Sequence, residues 1–379
     1  MKYNKIMAAA LALSLLALSG CNGNEEVNPP AQTGENAPVI MEANTTSSPE
    51  AEASATEAAI TTEAAAEADT KAPFSEAPGD IPDSYREDGE SGIKVIGRNG
   101  HYQGLMGCWG TIENCDRYAA AVNKAAAALP DVNVYNMVIP TCSDFYVPDD
   151  MTGFTDSQKK KIDHVAEALE NVANVDVYSA ISAHTDEYIF TRTDYHWQPL
   201  GGYYAAEAFA KTAGLENFAP LSDYKEVTKE GYVGSLGMYA SILKTDPEPF
   251  TMYISPNNDN LKTTYYDTAF ENGTEGNLFV SPDAGAFYCS FLGTDDRIAK
   301  IETDCTNGKT LVVMKESYGN ALIPFLTQSY QTIYVCDVRY FDLNAIQFCK
   351  DVGADDLLFA VCTYTPAGPN VKGVESVVG

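Results

Sequence analysis

The chain has 379 residues, 53 of them acidic and 24 basic, for a formal net charge of −29. So acidic a chain argues against a nucleic-acid partner, because phosphate neutralisation needs clustered Lys and Arg and no such stripe occurs. Apolar residues make up 45% of the sequence, enough for a sizeable core, but they are unevenly spread, and one large globular domain is expected rather than two or three.

Lys2 and Lys5 precede an apolar run from Ile6 to Leu18, too short for a permanent span and shaped like a secretory h-region. The run leads into Leu18-Ser19-Gly20-Cys21, which resembles the lipobox of bacterial lipoproteins. That resemblance implies cleavage before Cys21, lipidation of Cys21 and a mature protein held at the extracytoplasmic face of the cell membrane. A plain signal peptide with an incidental cysteine is the alternative. No second apolar stretch is long enough to cross a bilayer. From Asn22 to Ser91 the sequence is Ala, Glu, Thr, Ser and Pro with almost no aromatics. Sixteen acidic residues there stand against Lys71 and Arg86. Such a stretch cannot bury enough apolar surface to order itself, so residues 21–91 are expected to form a disordered tether.

The folded part is expected from Gly92 to Gly379. Gly92–Gly100 reads as a strand closed by a glycine turn. Asn114–Asp131 is rich in helix formers and closed by Pro130. Val132–Thr141 alternates and carries β-branched residues, predicting a strand. Thr155–Val172 predicts a helix capped by Thr155, with Ile162, Val165, Ala166 and Leu169 at helical spacing. Val175–Ile181 reads as another strand. Leu215–Asp304 is rich in Tyr, Thr, Gly, Asn and Pro, as expected of a β-rich insertion. From Lys309 a strand, a tight turn, a helix and a further strand follow, and Asp355–Tyr364 supplies a last buried strand. Strands alternating with helices predict an α/β fold with a mainly parallel sheet flanked by helices. There is no internal repeat.

With Cys21 set aside, eight cysteines remain. Export permits disulfides, and Cys108–Cys115 and Cys289–Cys305 are the nearest pairs in sequence. Cys336 and Cys362 lie in apolar strand-like runs, where cysteine behaves as a small buried hydrophobe. No CxxC pair occurs, so zinc of the usual spacing has no support, and no motif calls for a cofactor.

Two stretches carry chemistry. In Leu311–Leu326 an apolar strand delivers Ser317 to the carboxyl edge of the sheet, where open α/β sheets place their sites. There a serine hydroxyl stands clear of the backbone and free N–H groups can hold an oxyanion. The pattern is not the GxSxG elbow of α/β-hydrolases, and a helix-capping serine is the plainer reading. In Thr191–Lys211, Asp194 lies two residues before His196. A serine needs a base to take its proton, imidazole suits that task, and a carboxylate on its other nitrogen fixes the tautomer. Taken alone, the pair also fits an aspartate at a helix start beside a half-buried histidine.

The segment Thr193-Asp-Tyr-His-Trp-Gln-Pro-Leu-Gly-Gly-Tyr-Tyr closely resembles the signature of the DHHW family. So do Lys315-Glu-Ser-Tyr-Gly-Asn and, after it, Asp337-Val-Arg-Tyr. This family is related to the alginate O-acetylation proteins of the SGNH-hydrolase-like superfamily. The resemblance implies an SGNH-like or flavodoxin-like sheet, and a triad in which Asp194 orients, His196 is the general base and Ser317 the nucleophile. Two positions depart from the family pattern: Tyr195 replaces the first His of the signature, and Glu316 replaces the Asp before the serine. Asn320 is a candidate to support an oxyanion or the turn, and Arg339 to bind a carboxylate or pair with Asp337. Trp197 and Tyr203 are candidates to line a sugar cleft, although aromatics beside a helix start are more often core.

The function implied is a membrane-tethered O-acetyltransferase or acetylesterase acting on a cell-surface polysaccharide through an acyl-serine. A membrane-bound O-acyltransferase partner would supply the acetyl groups. The alternative is a carbohydrate-binding or envelope-scaffolding lipoprotein without turnover. A separation of His196 and Ser317 beyond about 8 Å would dismiss the triad. His101 and His184 are weaker candidates, and no set of three or four metal ligands can be named around them.

Overall fold

The computed structural model describes residues 79–379, except Asp283. The apolar run, Cys21 and most of the expected tether lie outside the described residues. No helix among the described residues is long and apolar enough to cross a membrane.

The last residues of the expected tether are folded, for regular structure is already present before Gly92. β1 (Arg86–Asp88) pairs with β2 (Lys94–Arg98), and β2 pairs with β3 (His101–Leu105), in a small antiparallel sheet. The β2–β3 turn holds Asn99 at φ 53 and Gly100 at φ 80, the left-handed pair that a two-residue hairpin requires. Next comes α1 (Ile112–Ala128), capped by Thr111, whose side chain accepts from the Asn114 N–H. It leads to β4 (Asn133–Ile139) and α2 (Gln158–Ala168).

Two elements differ from what the sequence pattern predicts. The cap of α2 is Ser157, not Thr155; the Thr155 hydroxyl instead accepts from the Cys108 N–H at 2.9 Å. Val175–Ile181 is not a strand. β5 is only Ala173–Asn174, and Asp176 then accepts from the Ser179 N–H and starts α3 (Val177–Ser182). An Asx cap overrides a period-2 pattern that is too short to bind its own partner strand.

α4 (Pro199–Ala213) has proline in its first turn and ends at Gly214 with φ 62, the usual proline-start, glycine-stop asymmetry. Within the insertion, β6 (Lys225–Tyr232) and β7 (Glu248–Ile254) form their own antiparallel ribbon. β8 (Lys262–Tyr266), β9 (Thr274–Gly276) and β10 (Ile298–Glu302) instead extend the main sheet. The α/β pattern resumes with β11 (Thr310–Lys315), α5 (Ile323–Leu326), β12 (Thr332–Asp337), α6 (Ala345–Val352), β13 (Asp356–Cys362) and α7 (Val371–Val378).

The main sheet runs β5-β4-β13-β11-β12-β10-β8-β9. Its first five strands are parallel, and the last three, all from the insertion, are antiparallel. The last strand of the chain, β13, thus lies between β4 and β11 at the centre. Side chains alternate across both faces. Leu311 and Val313 join the core under α3, α4 and α5, whereas Val312 and Met314 join the one under α1, α2, α6 and α7. Burial on both faces explains why β11 and β13 read as continuous apolar runs; each such side chain contributes about 1.5–3 kcal/mol.

The cysteine pairs nearest in sequence are not joined. Cys108 and Cys115 are both buried free thiols, and Cys305 is also free. The thiols of Cys108 and Cys142 are pushed up to about 12 by burial, as expected of small core hydrophobes rather than reactive groups.

Candidate active site

β11 ends at Lys315, and the chain turns at once. Glu316 is extended and buried, with its carboxylate accepting from the Cys362 N–H at 2.7 Å and the Tyr318 N–H at 3.3 Å. It therefore ties the carboxyl ends of β11 and β13 together and caps the short helical turn Ser317–Leu322. Burial pushes its carboxyl above the usual range, against the pull of Arg339 and the hydrogen bonds it accepts. Ser317 opens the turn at the carboxyl edge of the parallel strands.

From the other side comes the loop before α4. It is closed on itself, since the Thr191 hydroxyl bonds the carbonyls of Asp194 (3.0 Å) and His196 (2.6 Å). It is also pinned from β7: the buried Glu248 carboxylate accepts from the N–H groups of Arg192 (2.7 Å) and Thr193 (2.6 Å) and from the Tyr188 hydroxyl. The result places three side chains in one hydrogen-bonded line. His196 Nδ1 stands 2.8 Å from Asp194 Oδ1, and His196 Nε2 stands 2.8 Å from Ser317 Oγ, across 121 residues of sequence.

Asp194 has further partners that the motif alone did not announce. Its Oδ2 accepts from the Tyr232 hydroxyl at 2.8 Å and from the Ser235 N–H at 2.9 Å. Burial by itself would raise this carboxyl. The charge of His196 and the hydrogen bonds from His196, Ser235 and Tyr232 outweigh it and hold Asp194 well below the usual carboxylate range. An ionised carboxylate only accepts, so Nδ1 of His196 carries a proton in either charge state, and in the neutral imidazole Nε2 is left to accept from Ser317. Ser317 is 1% exposed and His196 3%, so the line of three is almost closed to solvent.

The other candidates fall into two groups. Asn320 and Arg339 join a buried charge network beside the serine turn. Asn320 Nδ2 donates to Asp295 at 2.8 Å, Arg339 bonds Asp337 and Asp295, and Lys315 Nζ reaches Asp295 at 2.7 Å and Asp337 at 2.9 Å. Asp295 is held down to about 2: burial would raise it, but Lys315 and Arg339 prevail. Both candidates thus brace the turn. Trp197 and Tyr203, considered for a sugar cleft, are core residues instead. Trp197 is fully buried and donates to the Tyr318 carbonyl at 3.1 Å. Tyr203 packs edge-on against Phe325, and its hydroxyl accepts from the Leu221 N–H. His184 pairs with Glu187 and stacks on Tyr204. Together with Glu207 and Lys211 it lines a cavity of about 360 Å³ that shares no residue with the line of three. His101 is buried against Asp246.

The sequence model described as "DHHW protein" matches residues 108–336. The chain belongs to the DHHW family. The crystal structure of a DHHW family protein from Eubacterium siraeum is 41% identical, covers 76% of this chain and 97% of its own, and superposes with a TM-score of 0.72. PatB1 of Bacillus cereus, solved with a sulfonyl adduct, shares the fold at 17% identity and a TM-score of 0.61 over 74% of this chain and 98% of its own. No match was found among curated proteins. In this DHHW chain the first histidine of the signature is Tyr195, whose ring lies 4.0 Å from that of His196. The hydrogen-bonded line runs through the second, His196.

Proposed function

We propose that this DHHW chain is an O-acetyltransferase or acetylesterase acting on a cell-surface polysaccharide, tethered by a lipid on Cys21 to the extracytoplasmic face of the membrane. The observation that carries the reading is the line Ser317–His196–Asp194, with two contacts of 2.8 Å and the tautomer fixed by an ionised aspartate. Ser317 Oγ attacks the carbonyl carbon of an acetyl ester while His196 Nε2 takes its proton. Asp194 stabilises the imidazolium. As the tetrahedral intermediate collapses, the leaving alcohol takes that proton and acetyl-Ser317 remains. A sugar hydroxyl, or water, then attacks the acyl-serine with His196 again as base, and the proton returns to Ser317. A membrane-bound O-acyltransferase is the proposed source of acetyl groups. The fold shared with PatB1, a protein seen with a sulfonyl adduct, is compatible with an activated nucleophile and suggests a sulfonyl fluoride as probe.

The near-complete burial of Ser317 favours a second reading, a glycan-binding or scaffolding lipoprotein without turnover. Hydrolysis of a chromogenic acetyl ester by the full chain distinguishes the two. Turnover lost in both Ser317→Ala and His196→Ala supports the enzyme; an inactive wild type that binds glycan tightly supports the scaffold.

A further inference from the structure

The His196 ring lies between elements that come from three parts of the chain. Tyr288, in the segment Ala284–Ser290 of the β-rich insertion, stacks on it with ring centroids 3.8 Å apart and planes 12° from parallel. Tyr195 lies 4.0 Å away at 33°. Tyr288 is itself wedged edge-on by Phe250 of β7 and by Phe291. Its hydroxyl donates to the Ser317 carbonyl at 3.0 Å, with the Tyr318 carbonyl at 3.3 Å. The Tyr318 hydroxyl completes the circuit by donating to the Tyr195 carbonyl.

We infer that Tyr288 is a positioning residue for the proposed reaction: with Tyr195 it forms an aromatic clamp that holds the His196 imidazole in line with Ser317. The inference rests on the acyl-transfer reading for its catalytic consequence, but the clamp itself is a statement about His196. Two physical effects follow. The stacked face forbids rotation of the imidazole about its side-chain bonds, so Nε2 stays aimed at Ser317 Oγ. The electron-rich ring faces also favour the imidazolium that forms when the serine proton is taken. Because the same Tyr288 hydroxyl holds the Ser317 backbone, base and nucleophile are set by one side chain. The insertion thereby supplies part of the active-site geometry although it carries none of the three reacting groups. A tyrosine at position 195 fits this role, offering a broad ring beside the imidazole.

The test uses the full chain as wild type, Tyr288→Phe and Tyr288→Leu. The readouts are the histidine Nδ1–H resonance by ¹⁵N NMR, the rate of Ser317 modification by phenylmethanesulfonyl fluoride, and kcat and KM for a chromogenic acetyl ester. Tyr288→Leu is expected to broaden the His196 Nδ1–H signal and to lower kcat and the labelling rate about 100-fold, with KM changed less than about threefold. Tyr288→Phe, which keeps the stack, is expected to restore both rates to within about tenfold of wild type. A folded Tyr288→Leu protein with an unchanged resonance and unchanged rates overturns the clamp. If the wild type neither labels at Ser317 nor hydrolyses the ester, the enzymatic reading falls, and the resonance alone still decides for or against the clamp.

Discussion

A methyl group on the α-carbon of Gly202 would stand 2.6 Å from the carbonyl oxygen of Ala321 and 2.9 Å from its carbonyl carbon. Helix α4, which follows His196, therefore lies directly on the backbone of the turn that follows Ser317. The close approach gives the glycine of the Gly-Gly-Tyr-Tyr signature a physical reason, because only a residue without a Cβ lets the helix and the turn meet. Gly202→Ala is expected to lower unfolding free energy by about 1–3 kcal/mol through overpacking, and to cut ester turnover more than tenfold. Urea unfolding and ester turnover check it; a variant indistinguishable from wild type in both would show that the contact does not set the geometry.

The second close approach is at Gly234, where an added Cβ would lie 2.3 Å from Asp194 Oδ2 and 2.4 Å from its Cβ. Gly234 has a negative φ that alanine tolerates, −81°, so Gly234→Ala tests the clash alone. It is expected to push Asp194 off His196 and reduce kcat about 100-fold. Tyr232→Phe, which leaves Oδ2 with only the Ser235 N–H, should cost about 1 kcal/mol of stability and a smaller share of the rate. Steady-state kinetics of the two variants side by side rank the effects, and the reverse order would contradict this account.

Asp295 gives a pH signature. Its folded carboxyl is held at about 2 against an ordinary 3.8, so the stability it contributes is fully present above about pH 4. That contribution is lost as the pH falls through about 2, on the order of 2 kcal/mol in all. Asp295→Asn removes a shared partner of Lys315 and Arg339 and is expected to cost about 3 kcal/mol at neutral pH. The gap between variant and wild type should then narrow between pH 4 and pH 2. Urea midpoints across that range would reveal a constant gap if the carboxylate were not ionised in the folded protein.

How much of this could be read beforehand depends on the distance over which each residue acts. Asp194 and His196 were candidates by their two-residue spacing in one loop, and Ser317 by its place after an apolar strand and before a glycine turn. Each stretch alone also fitted a capping role, and it was the resemblance to the DHHW signature that joined the three. The mainly parallel sheet followed from the alternation of strand and helix signals. Tyr232, Ser235 and Tyr288 were not legible: they come from an insertion with no periodic pattern, and their roles depend on how that segment folds back over the loop. Trp197 and Tyr203 were candidates for a sugar cleft, with the core the commoner place for aromatics beside a helix start, and the packing of α4 on the serine turn draws both into the core. Val175–Ile181 alternates like a strand, yet a single capping aspartate made most of it a helix.

The central claim is that Ser317 is a nucleophile activated by His196. Its most direct measurement is peptide mass spectrometry of the full chain after brief exposure to phenylmethanesulfonyl fluoride at neutral pH, with His196→Ala in parallel. The account predicts one sulfonyl group on Ser317 in the wild type and at least about a 1,000-fold slower modification in the variant. An unmodified Ser317, or equal modification in both proteins, would contradict it.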